Sequence, residues 1–260
     1  MDLAPLISAV SYYAVVLVVA ELARKVLDRT TGKGSQLHRF FIEFIGTVQV
    51  LTCIFENGVI VVHYGVPAFF VVTGLLGFLF GKLNREAIGT PLVLLENFIF
   101  HKESLWKTFY LLVAQLLAGF YAFTAARYLW YYSLTYSQAH YDFFVNTSQR
   151  CSLNHKLDLA LALVFETLGC FFLRFISQRI PKAYFQYLFP AFLAAVFSST
   201  ILFIGDSALD PLVAAILFYG CEGLNFQWFM LLYWICPTIG WLANAYLDVP
   251  KKVSKKVKKN

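Results

Sequence analysis

The chain has 260 residues, of which 59% are hydrophobic and 18% aromatic, and a formal net charge of +6. Its mean hydropathy of +0.65 exceeds what one soluble core can bury, so composition excludes a soluble enzyme or binding domain and identifies an integral membrane protein. The apolar runs are about 17 to 25 residues long, which suits helices crossing roughly 30 Å of hydrocarbon and not the short alternating segments of a barrel.

In chain order, the runs long enough to span cover 3–22, 40–62, 64–80, 105–132, 157–176, 184–204 and 226–247. The expected fold class is an all-α membrane protein. The first run has neither a basic n-region nor a small-residue cleavage site, so it reads as an extra N-terminal apolar helix and not as an excised signal peptide. An interfacial helix is the rival, because Glu21 lies near its end. Two further apolar pieces, 91–100 and 211–218, are too short to cross, and each opens on a residue and a proline, Thr90-Pro91 and Asp210-Pro211. Thr and Asp are ordinary N-caps and Pro is favoured at N1. Inside a membrane chain the same pairs read as the starts of re-entrant half-helices.

Positive charge tests this topology, since short cytoplasmic loops collect Lys and Arg. With the C-terminus cytoplasmic and both short pieces re-entrant, only Arg127, Arg150 and Lys156 fall on the far side, leaving 18 of the 21 basic residues cytoplasmic. The net charge then reports orientation beside membrane lipid and requires no nucleic-acid partner. The long segment between the fourth and fifth runs falls in the lumen. It carries Asn146-Thr147-Ser148, which matches an N-glycosylation acceptor at Asn146. Cys53, Cys170 and Cys236 lie within runs and read as small apolar fillers. Cys151 and Cys221 lie on the lumenal side, where a disulfide is chemically permitted; the sequence leaves their separation open.

Two stretches nearly repeat each other: Phe41-Ile42-Glu43-Phe44-Ile45-Gly46-Thr47 and Val164-Phe165-Glu166-Thr167-Leu168-Gly169-Cys170. Pro91 follows Glu43 by 48 residues and Pro211 follows Glu166 by 45. Matching halves, each with an intramembrane Glu and a later Pro-started half-helix, are the arrangement of a membrane pore or transporter. A carboxylate in hydrocarbon must be paired or hydrogen-bonded, and non-helical backbone at that depth must be satisfied by protein, so Glu43 and Glu166 are candidates to bind the loops that lead into the half-helices. A protonated structural Glu and a proton-relay group are the other readings.

With these motifs in order, the segment 40–247 resembles the aquaporin family, whose halves each carry a Glu-x-x-Gly helix and a half-helix headed by Asn-Pro-Ala. The corresponding residues here are Glu43 to Gly46, Glu166 to Gly169, Thr90-Pro91-Leu92 and Asp210-Pro211-Leu212, together with Ala114-Gln115 and the Trp234 to Gly240 segment. The degenerate boxes, the N-terminal apolar run and Cys221, nine residues after Leu212, are similar to superaquaporins, the unorthodox intracellular subfamily. The resemblance implies a right-handed bundle of six spans plus two re-entrant half-helices, with repeat one at 40–132 and repeat two at 157–247. An N-terminal helix and basic linker, 1–39, would precede it, and a Lys-rich cytoplasmic tail, 248–260, would follow. It also implies a passive channel for water or small neutral solutes, a homotetramer, no cofactor and no metal.

Departures from the family pattern bear on the permeant. Thr90 and Asp210 stand where orthodox members have two asparagines; a hydroxyl can donate a hydrogen bond, whereas an ionised carboxylate only accepts and offsets the positive ends of the half-helices. Asp210 could alternatively do no more than cap its helix. Val213 replaces the arginine of water-selective members. Ser198, 12 residues before Asp210, occupies the fifth-helix filter position, and the aromatic partner is Phe69 or Phe70. Such a filter would be less polar and wider than an arginine-containing one, favouring glycerol or hydrogen peroxide beside water, although an apolar constriction can dewet and block.

The terminus contains Lys256 and Lys258 in the spacing of a cytosolic dilysine retrieval signal, which agrees with an endoplasmic-reticulum or other intracellular address; a generic basic tail on anionic lipid is the rival. Two other functions stay open at this point: a non-conducting membrane scaffold of the same fold, and, remotely, a lumenal-face enzyme using His155 and Asp158. No metal-ligand spacing, nucleotide loop or nucleophile elbow supports the enzyme.

Overall fold

The computed structural model describes residues 3–146 and 151–257. Ten α-helices follow in order: α1 (Ala4–Thr30), α2 (Gln36–Leu83), α3 (Pro91–Ile99), α4 (Leu105–Ser133), α5 (Gln138–Asn146), α6 (Leu159–Ser177), α7 (Lys182–Phe203), α8 (Pro211–Phe218), α9 (Phe226–Met230) and α10 (Cys236–Val257). A π-helical turn, Leu231–Ile235, joins the last two into one rod. Side-chain caps set most of the starts, as at Ser35, Ser104, Asp158 and Asn225. Among the described residues, six helices are long and apolar enough to cross a membrane.

The runs 40–62 and 64–80, read separately in the sequence, form the single 48-residue element α2. At 1.5 Å per residue a straight helix of that length would reach about 72 Å, more than twice the hydrocarbon core. It is not straight. Gly65 has φ 78 and ψ 179, a conformation that a Cβ disfavours, and Pro67 follows in the first turn of the second limb. The Asn57 Nδ2–H donates to Thr73 Oγ1 at 3.2 Å although the two are 16 residues apart, so the second limb folds back along the first. Counting both limbs, the long apolar helical segments among the described residues number seven, matching the seven apolar runs.

Direction follows from cross-helix contacts. Moving down α1 from Leu6 through Tyr13 to Arg24, the partners on α2 are Tyr64, Asn57 and Gln49, so α1 runs antiparallel to the first limb. That limb and α4 run parallel, since Glu43 meets Gln115 and Glu56 meets Trp130. In the second half α6 lies equally close to α10: a Cβ built on Gly240 would collide with the backbone of Thr167. Helix α7 closes against the second limb of α2, with Pro190 and Ala194 opposite Gly77 and Gly74.

Each end carries a polar cluster. At the basic end the Arg174 guanidinium donates to both Glu96 carboxylate oxygens, at 2.8 and 3.1 Å, and to Asn244 and Asp248. Trp241 and Lys102 complete the ring around Glu96 and so tie α3 to α6 and α10. At the other end α5, a helix absent from the sequence reading, is fixed by His140, whose Nε2 lies 2.8 Å from Glu56 Oε1 with both side chains wholly buried. Trp130 donates to the second Glu56 oxygen at 2.8 Å.

Candidate functional site

Glu43 and Glu166 occupy the same structural position in the two halves. The Glu43 carboxylate accepts the N–H groups of Ile88 and Gly89, at 2.8 and 2.7 Å, and the Gln115 amide at 2.7 Å. Glu166 accepts the Ser207 hydroxyl at 2.7 Å and the N–H groups of Ala208 and Leu209 at 3.1 Å. These backbone donors belong to the loops just before the two half-helices, where no helical partner exists for them. Three residues on, the same helix face presents glycine: a Cβ on Gly46 would strike Ala87, and one on Gly169 would strike Leu209. The Glu-x-x-Gly pattern therefore pairs an acceptor with the space that lets a loop reach it.

The loops deliver α3 and α8 to one another at their N-termini. Thr90 caps α3 through its Oγ1, which accepts the Leu92 N–H at 3.3 Å. Asp210 caps α8 through Oδ1, which accepts the N–H groups of Leu212 and Val213 at 2.9 and 3.0 Å. Its second oxygen, Oδ2, accepts the Thr90 hydroxyl directly. Asp210 thus both caps its helix and bonds across to the other half. Pro91, Leu92, Pro211 and Leu212 are buried behind the tips, while Thr90 and Asp210 retain partial exposure.

This membrane bundle, with two Glu-held loops and two half-helices meeting end to end, has relatives among known proteins. The chain is 34% identical over 258 residues to a Caenorhabditis elegans protein provisionally named aquaporin-10, covering 98% of this chain and 91% of that one. The chain belongs to the aquaporin family. A second relative, named aquaporin-11, from Milnesium tardigradum, is 23% identical over 240 residues, covering 92% of this chain and 86% of its own. No family model matches the chain. The protein is accordingly a multi-pass membrane channel of that family and not an enzyme, as the motifs in the sequence led us to expect.

In this aquaporin the remaining candidates fall as follows. Phe69 and Val213 both pack against the cluster that contains Leu51, Leu76 and Leu212, whereas Phe70 is 41% exposed. Ser198 continues the Pro190 and Ala194 stripe of α7 that faces the second limb of α2. It is 8% exposed, and its hydroxyl has no hydrogen-bond partner among the described residues. Cys221 is bonded to Cys151, with Cα atoms 4.7 Å apart. Asn146 is exposed at the end of α5; the rest of its acceptor triplet, and Lys258, lie outside the described residues, and Lys256 is described only as part of the α10 backbone. His155 and Asp158 form no acid–base pair. Asp158 is consumed as the cap of α6, accepting the Leu161 N–H at 2.9 Å, and His155 Nε2 stands 3.2 Å from the Tyr233 hydroxyl. Burial holds the His155 imidazole below its ordinary value.

Several positions had no functional reading in the sequence. Ser207, three residues before Asp210, adds a side-chain donor to Glu166; a lone serine in an apolar run carries too little pattern to be singled out. The segment 151–156 forms a strap over the second loop: Leu153 N–H donates to Glu222 O, Glu222 N–H donates to Cys151 O, and Asp206 N–H donates to Asn154 O. The π turn of the last helix brings Tyr233, wholly buried, to donate to Asp206 O at 2.8 Å. Arg24, one of the 18 basic residues assigned to the cytoplasmic side, is wholly buried.

Proposed function

We propose that this protein is a passive channel for water and small neutral solutes such as glycerol and hydrogen peroxide in an intracellular membrane. The observation that carries the reading is the meeting of Thr90 and Asp210 at the tips of two half-helices, each approached through a loop braced by a buried Glu. The half-helices aim their positive ends at the centre, and Asp210 places an acceptor there. Phe69, Val213 and Ser198 supply an uncharged filter, with Phe70 the weaker aromatic candidate because of its exposure. The names of the two relatives agree with water passage, and aquaporin-11 together with Cys221 supports the superaquaporin assignment.

The disulfide sits at the end of the molecule opposite the basic cluster, which supports a lumenal placement for that end and for Asn146 as a glycan acceptor. A cytoplasmic C-terminus bearing Lys256 and Lys258 is the matching half of that topology. A homotetramer is the assembly that the family implies. The purified protein in liposomes should accelerate osmotic shrinkage above empty vesicles. Failure with water, glycerol and peroxide alike would reject the channel and leave the scaffold reading, for which the Thr90 to Asp210 bond would act as a permanent latch across the centre.

A further inference from the structure

We propose that the N-terminal helix α1 is part of the permeation machinery, with Arg24 a positioning residue that fixes the first re-entrant loop. The inference rests on the channel reading and assigns a task to a helix that would otherwise be an additional anchor.

Arg24 is 0% exposed. Its Nη2 donates to Gln49 Oε1 at 2.7 Å and to Asn84 Oδ1 at 3.2 Å, and Gln49 Nε2 donates to the same Asn84 oxygen at 3.0 Å. The other two guanidinium nitrogens have no hydrogen-bond partner among the described residues; Glu21 lies 3.7 Å from Nη1. Burying a guanidinium costs several kcal/mol unless its partners compensate. An anchor alone would not need it. Ala9, Val16 and Ala20 already pack α1, and Tyr12 and Tyr13 already bond it to Thr52 and Asn57.

What Arg24 holds is the first residue of the loop. Asn84 caps the second limb of α2, its N–H donating to Phe80 O and its C=O accepting the Ala87 N–H at 3.0 Å. Ala87 is the residue seated on Gly46, and Ile88 and Gly89 are the donors to Glu43. Thr90 comes next. A second observation is independent of Arg24: Arg85, adjacent to Asn84, has φ 54, a left-handed backbone that is strained for a residue with a Cβ. Its guanidinium is held from α1 by Asp28 at 2.7 Å and Glu21 at 3.2 Å. Three side chains on one face of α1, Glu21, Arg24 and Asp28, spread over about two helical turns, thus grip two consecutive residues at the root of the loop. Glu43 grips the far end, so α1 sets where the Thr90 tip meets Asp210.

The test measures water flux per reconstituted channel, and its temperature dependence, in liposomes containing the full chain. Arg24→Ala should lower flux per folded channel by about 3- to 10-fold, the range that coupling through a packed network supplies. It should also steepen the temperature dependence, which a mere loss of channel number leaves unchanged. Arg24→Lys should recover part of the flux. Asn84→Ala removes the same contact from the loop side and stands in if Arg24→Ala does not fold; combined, the two should be no worse than either alone. Tyr13→Phe deletes another buried α1 to α2 bond, remote from the loop, and should conduct as the wild type. Unchanged flux in folded Arg24→Ala or Asn84→Ala, or an equal loss in Tyr13→Phe, would overturn the proposal while the channel stands. A wild-type protein that conducts nothing would overturn both.

Discussion

Replacing Thr90 by valine keeps the shape of the side chain and deletes the hydrogen bond that joins the half-helix tips. A bond to an ionised acceptor contributes about 1.5–3 kcal/mol. The lost N-cap adds to that; a Thr cap contributes about 1 kcal/mol on average, and the 3.3 Å length of this one puts it nearer about 0.5. The expected destabilisation is therefore about 2–3.5 kcal/mol. Asp210→Asn behaves differently, because the amide oxygen can still accept from Leu212 and Val213 while its NH2 turns to donate to Thr90. Asn and Asp are equal caps, so only the helix-end charge term, about 0.3–1 kcal/mol, is lost. Asp210→Ala removes the acceptor altogether, so a double-mutant cycle of Thr90→Val with Asp210→Ala in detergent, read as unfolding free energy for wild type, both singles and the pair, should give a coupling of about 1.5–3 kcal/mol between the two sites. Water flux of the same four proteins reports whether the contact sets the pore centre. Energies that add within about 0.5 kcal/mol, with Thr90→Val conducting as the wild type, would refute the picture of two tips held together by this bond.

Other outcomes follow from the ends of the bundle. Arg174→Met should cost about 3–5 kcal/mol, because Glu96 and Asp248 lose their buried or half-buried cation; thermal unfolding measures it, and a neutral result would show that Lys102 and Trp241 suffice. Gly169→Val should be far more harmful than Gly169→Ala, since the added atoms must displace Leu209 from the loop, and expression with flux per channel checks both. The His155 imidazole is depressed by burial, so the folded form binds a proton less readily than the unfolded chain. Its contribution is complete above the ordinary imidazole value of about 6.5 and declines as pH falls from there toward the depressed value. The pH profile of melting should lose that decline in His155→Gln; an unaltered profile would exclude His155 as its source.

The architecture was legible because its signals are periodic and repeated. Glu43 and Gly46 share one helix face in a four-residue pattern that recurs at Glu166 and Gly169, and a proline after Thr90 or Asp210 marks a helix start wherever it occurs. The break at Gly65 was half legible, as a polar pause at His63 within an apolar stretch, but only backbone geometry turns two runs into one bent element. Tertiary partners were not legible. Arg24 in sequence is one of several basic residues following an apolar run, and nothing local distinguishes a buried guanidinium from a solvated one. His140 and Glu56 are 84 residues apart, and α5 exists because they meet. His155 and Asp158 failed in the opposite direction: proximity in sequence suggested a pair, and the needs of the α6 N-terminus claimed the carboxylate first.

The two re-entrant loops are secured by unlike chemistry. Ion pairs and amides from α1 fasten the first, whereas the strap fastening the second is itself tethered by the bond between Cys151 and Cys221. High salt would loosen one loop and leave the other in place; a thiol reductant would do the reverse. A pore with near two-fold symmetry in its frame is in this sense two locks with separate keys, one presented at each end of the molecule.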